Sequence, residues 1–126
     1  MWKPRDQQRE RNERLRGWII NFLYCAKPSP IELPVLMRLL DARNYPTSRR
    51  RLAEEVDFLR SEKLLRVFPA TATQEFDDLQ QAKLIQRYAQ TDDDGEMGDV
   101  VCARITTAGI KFQEGRIEQD GIMRVE

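Results

Sequence analysis

One hundred and twenty-six residues, 40% hydrophobic and 33% charged, suit one compact domain with its own core and exclude a fully disordered chain. The absence of histidine removes the commonest general base and the commonest transition-metal ligand, and two cysteines alone make no zinc site. Formal charge is zero, yet residues 1–66 carry 15 Lys/Arg against 9 Asp/Glu, a net +6, and residues 67–126 carry 6 against 12, a net −6.

Residues 1–16 hold six bases and three acids with almost no apolar stripe. They predict a charged helical extension from about Asp6, supported by Asp6–Arg9 and Glu10–Arg14 pairs, with little of its own to bury. From Leu15 to Ala26 the residues Leu15, Trp18, Ile19, Phe22 and Leu23 recur at i, i+3, i+4, i+7 and i+8, the pattern of a core-facing helix that Lys27-Pro28-Ser29-Pro30 ends. The run Trp18–Ala26 contains Asn21 and falls short of the roughly 20 residues that span a bilayer. The acids before it and the lack of a small-residue cleavage site argue against a signal peptide, so a cytoplasmic protein is expected. Cys25 and Cys102 each sit in an apolar run and read as small buried hydrophobes.

A second helix is predicted from about Ile31–Glu32 to Ala42, with Pro34 in its first turn and Leu33, Leu36, Leu39 and Leu40 inward. Arg43-Asn44-Tyr45-Pro46 forms a link, and Thr47 or Ser48 caps a third helix with inner stripe Leu52, Val56 and Leu59, closing near Lys63. Two helices joined by so short a link are a helix-turn-helix pattern. Leu64–Phe68 and Val100–Ile105 read as strands, the first stopped by Pro69. Thr106 or Thr107 then caps a short helix holding Ala108 and Phe112, ended by Gly115. The expected fold is mostly α with a small antiparallel β wing (α+β), a winged helix-turn-helix. Residues 1–16 form its extension and 17–126 the domain, with an insertion at about 70–98. Within the insertion, Phe76, Leu79, Ala82 and Ile85–Tyr88 fit a helix, while Leu84–Ala89 also fits a strand.

No cofactor and no metal are expected. The six glycines form neither a GxGxxG nor a GxxxxGK loop. Asp92-Asp93-Asp94-Gly95-Glu96 puts its glycine fourth where an EF-hand needs it sixth. Acid pairs such as Asp77/Asp78 lack a helper base and read as surface carboxylates, so no enzyme is expected.

Arg49, Arg50 and Arg51 open the third helix, where the positive end of the helix dipole disfavours cations. A locally disfavoured choice suggests function. In a major groove this turn meets base edges and phosphates, and arginine takes either bidentately. Thr47 and Ser48 add phosphate-binding hydroxyls, and Arg43 and Arg66 flank the same turn in sequence. These seven residues are the candidate DNA-binding set. Against them, the side opposite the apolar stripe presents Arg50, Glu54, Asp57 and Ser61, and its two acids repel phosphates. The basic half therefore points to double-stranded DNA, while the acidic half and the acidic recognition face point to a protein-interaction or assembly module. A homodimer through the N-terminal helix, with Trp2 and Trp18 as anchors, accompanies the first reading.

The segments PTSRRRLAEEVDFLRSEKLLRV at 46–67, ARITTAGIKFQEGRI at 103–117 and DGIMR at 120–124 resemble small winged-helix proteins of Mu-like prophages, often labelled arsenical-repressor-type regulators. The resemblance implies a phage-borne, non-catalytic DNA-binding regulator with Ser48, Arg49, Arg50 and Arg51 at the start of its recognition helix. The inter-strand segment is longer than in that pattern, and the Cys/His ligands of metal-sensing relatives are absent, so metal sensing does not carry over.

Overall fold

The computed structural model describes residues 4–90 and 100–125. It is a mixed α+β structure whose described residues form five helices and a three-stranded antiparallel sheet. Helix α1 (Pro4–Ala26) is continuous, so the charged extension and the core-facing segment are one helix. Strand β1 (Ile31–Glu32) leads directly into α2 (Leu33–Ala42), and α3 (Arg49–Ser61) follows a six-residue link. Strand β2 (Leu65–Pro69), helix α4 (Asp78–Gln90), strand β3 (Val101–Ile105) and helix α5 (Thr107–Gln113) complete the order.

The apolar stripes converge as their spacing predicts. Leu15, Ile19 and Leu23 of α1, Leu33, Leu36 and Leu40 of α2, and Leu52, Val56 and Leu59 of α3 are buried together. The inner faces of the strands join them through Leu65, Val67, Val101, Ala103 and Ile105. Asn44 (φ 66°) and Lys63 (φ 67°) adopt left-handed backbone just after α2 and α3, and amides donate back to Leu40 and Leu59 to close each helix. Ser48 caps α3 by accepting from the Arg51 amide, and Thr106 caps α5 by accepting from Gly109.

Two expectations change. Ile31–Glu32 is a strand, pairing with Ala103 and Cys102, where the sequence suggested the start of a helix; Pro34 defers the helix to Leu33. Two residues are too few to show a period, so the third strand has no sequence signature. Cys25 is exposed although its neighbours are apolar, whereas Cys102 is buried. Cys25 stands on the outer side of α1, away from the stripe that Ile19 and Leu23 bury.

The insertion contains a helix, α4, which resolves the choice between helix and strand. Leu84, Ile85 and Tyr88 enter the main core. Residues 92–96, where the acidic loop was read, lie outside the described residues, as does Trp2. The strand order β1-β3-β2 leaves β2 at an edge, where unpaired amides invite another strand. Buried Gln81 of α4 closes that edge: its Oε1 accepts from the Val67 amide at 3.0 Å, and its Nε2 donates to the Phe76 carbonyl at 3.0 Å.

The C-terminal residues fold back on α1. The Met123 amide donates to the Glu13 carbonyl at 3.0 Å, and Asn21 and Gln113 both donate to the Val125 carbonyl. Gly17 permits this approach, because a Cβ there would collide with the Met123 carbonyl. No helix among the described residues is long and apolar enough to cross a membrane.

Replacing Gln81 with Leu strands the Val67 amide at little cost in volume. Gln81→Leu is expected to lose about 1–3 kcal/mol in urea unfolding, the cost of an unsatisfied buried donor.

Candidate interaction surface

Buried Glu55 and helix α4 decide which way the arginines of α3 face. Glu55 is 5% exposed, and its carboxylate lies 2.5 Å from Arg16 Nε and 3.5 Å from Arg51 Nε. Arg16 also donates to the Gly121 carbonyl at 2.8 Å and stacks over Phe58 at 4.0 Å, so one guanidinium joins α1, α3 and the C-terminal segment. Arg51 Nη2 donates to the Asn12 side chain. Its Nε keeps ion-pair distance from Glu55 without hydrogen-bond alignment.

Helix α4 accounts for Arg49. Arg49 Nε donates to the Tyr88 carbonyl at 2.7 Å and its guanidinium lies 3.8 Å above the Tyr88 ring. At the opposite end of α3, Arg60 and Lys63 approach Asp78 at 3.9 Å and 2.6 Å. The start of α3 therefore meets the end of α4, and the two run antiparallel. A cation at the C-terminal end of α4 and an acid in its first turn both suit its dipole. The unfavourable charge at the start of α3 is offset by its neighbour. The Lys63 hydrogen bond, then its charge, hold the Asp78 carboxyl below its ordinary 3.8, with Arg60 adding to the effect.

The other expected contacts are also engaged within the chain. Arg43 is exposed and its guanidinium lies 4.6 Å from the Trp18 ring, which itself stacks on Phe22 at 5.6 Å. Thr47 donates to the Tyr45 carbonyl at 2.7 Å, and Ser48 serves as the cap. Arg66 lies on β2 and donates to the Phe76 carbonyl, well apart in sequence from the α3 turn. Arg50 is the member of the set that stands exposed on α3 beside Glu54 and Ser61, with Asp57 half-buried and paired to Arg60 at 2.9 Å. The structure does not gather the seven residues into one outward patch.

The sequence reading missed the Arg16–Glu55 pair and the Arg49–Tyr88 contact. The first was visible only as an acid on the inner side of α3, one residue from Val56. The second needed the placement of α4. No protein-family model, curated protein or solved structure matches the chain.

Glu55→Gln leaves two guanidiniums facing a neutral amide. It is expected to cost about 2–4 kcal/mol in urea unfolding, below the roughly 3–5 of a wholly buried pair because both arginines keep some contact with water. Asp78 gives a pH signature. Because its folded pKa is lowered, the stability it contributes is complete above the ordinary value of 3.8 and is lost as pH falls through the depressed one. The difference in urea midpoint between the parent and Asp78→Asn should therefore persist at pH 6 and close on acidification below about pH 4.

Proposed function

We propose that this chain is a non-catalytic winged-helix module that works by docking a protein partner. The order α1-β1-α2-α3-β2-α4-β3, a winged-helix order with α4 inserted between its last two strands, and the β1-β3-β2 antiparallel sheet support the winged-helix assignment. The observation that carries the function is the inward commitment of the first turn of α3. Arg49 is held by Tyr88 and Arg51 by Glu55 and Asn12, so a groove-reading helix retains one outward arginine there, Arg50, next to Glu54. A protein surface tolerates such alternating charge, whereas a phosphate backbone does not.

The partner is a different protein rather than a second α1. Arg11, Asn12 and Arg16 spend their polar groups on Asn44, Arg51, Glu55 and Gly121 of the same chain. Gln7, Gln8, Arg9 and Arg14 remain exposed, a polar strip without the apolar seam a helix pair requires.

A regulator that contacts double-stranded DNA is the second reading, and exposed Arg50, Ser48 and Arg43 around one link favour it. Fluorescence anisotropy with short duplex DNA separates the two. For the protein-docking reading, affinity between about 50 and 200 mM salt should fall far less than the roughly 1,000-fold that six phosphate contacts produce, and Arg50→Glu should change it little. A steep salt dependence that Arg50→Glu abolishes would establish the DNA reading instead.

A further inference from the structure

A cavity of about 500 Å³ opens on the outer face of the sheet, between β2, β3 and the segment 72–76 that leads into α4. Arg66 and Arg104 line it and are register partners, directly opposite each other across the strand pair. Two like charges so placed oppose folding. Arg66 is steadied by the Phe76 carbonyl, while Arg104 is exposed and lies 5.1 Å from the centre of the Phe68 ring. Among the described residues neither arginine has a carboxylate in an ion pair. Phe68 and Phe76 supply apolar wall, and Thr73 and Thr107 line the cavity as well.

Such a pair of guanidiniums is matched to one planar anion that bridges them. Glu75, which also lines the cavity, selects among anions. It repels a doubly charged phosphate more than a singly charged carboxylate, and a concave site with aromatic walls fits a peptide side chain better than the convex rail of a duplex. We propose that this cavity binds a carboxylate from an acidic segment of the partner protein, with Arg66 and Arg104 holding the anion and the two phenylalanines receiving an adjoining apolar side chain. The assignment rests on the protein-docking function and names the chemistry of its partner.

The full chain is titrated by calorimetry with the blocked peptide Leu-Glu-Glu-Phe, acetylated and amidated. Saturable binding is expected, weakened about tenfold or more when Gln replaces each Glu of the peptide and likewise in Arg104→Thr. The same Arg104→Thr should raise the thermal midpoint by about 1–4 °C, because it removes a like-charge pair and adds a good strand former. A residue that serves the fold alone cannot move binding and stability in opposite directions. Equal affinity for the Glu and Gln peptides, unchanged affinity in Arg104→Thr, or displacement of the peptide by equimolar inorganic phosphate overturns the assignment. If the peptide fails and the chain also ignores duplex DNA, the cavity proposal falls alone; duplex binding that depends on Arg104 overturns the protein-docking function with it.

Discussion

Glu55 is the constraint on which the arrangement of α3 depends. A carboxylate taken out of water must be neutralised nearby, and the two available cations come from different parts of the chain, Arg16 from α1 and Arg51 from the first turn of α3 itself. Satisfying the acid pins the start of α3 against the middle of α1 and, through the second hydrogen bond of Arg16, captures the turn at Gly121 (φ 84°). A left-handed backbone at that residue and a cation–π contact with Phe58 complete the joint. The inward turn of Arg51 thus serves the core, and the outward face of α3 is what this leaves over.

Helix α4 applies the same logic from the other side. It is inserted between two strands that pair directly with each other, yet it is no appendage: Leu84, Ile85 and Tyr88 are part of the core, and Gln81 closes the exposed edge of β2. Its two ends are matched to α3 by charge, Asp78 to Lys63 and Arg60 at one end, the Tyr88 carbonyl to Arg49 at the other. Helix α4 covers one flank of α3, while Arg43, Ser48, Arg50 and Glu54 stay exposed.

The periodic parts of the fold were legible in the sequence because each buries a stripe of its own. Leu15, Ile19 and Leu23, or Leu52, Val56 and Leu59, announce helix and inward face together, and the strands flanking the insertion follow from the short runs Leu64–Phe68 and Val100–Ile105. Ser48 and Thr106 were among the caps anticipated. What the sequence withheld was pairing at a distance. A two-residue strand has no period, and its existence at Ile31–Glu32 depends on β3 lying alongside. The three arginines looked costly because a helix start was judged by its own dipole, and the compensating carbonyl at Tyr88 lies 39 residues away. The opposition of Arg66 and Arg104 likewise exists only once the register is known.

The division of charge along the chain then takes on a different meaning. Several bases of residues 1–66 reach across to residues 67–126, mostly to carbonyls: Arg16 to Gly121, Arg49 to Tyr88, Arg66 to Phe76, and Arg60 and Lys63 to the Asp78 carboxylate. Tyr24 with Glu114, and Glu62 with Gln119, extend the same pattern to neutral partners. Charge that finds no counterpart among the described residues is the more informative remainder. Arg104 belongs to the acidic half, stands opposite another arginine rather than an acid, and is exposed beside a cavity.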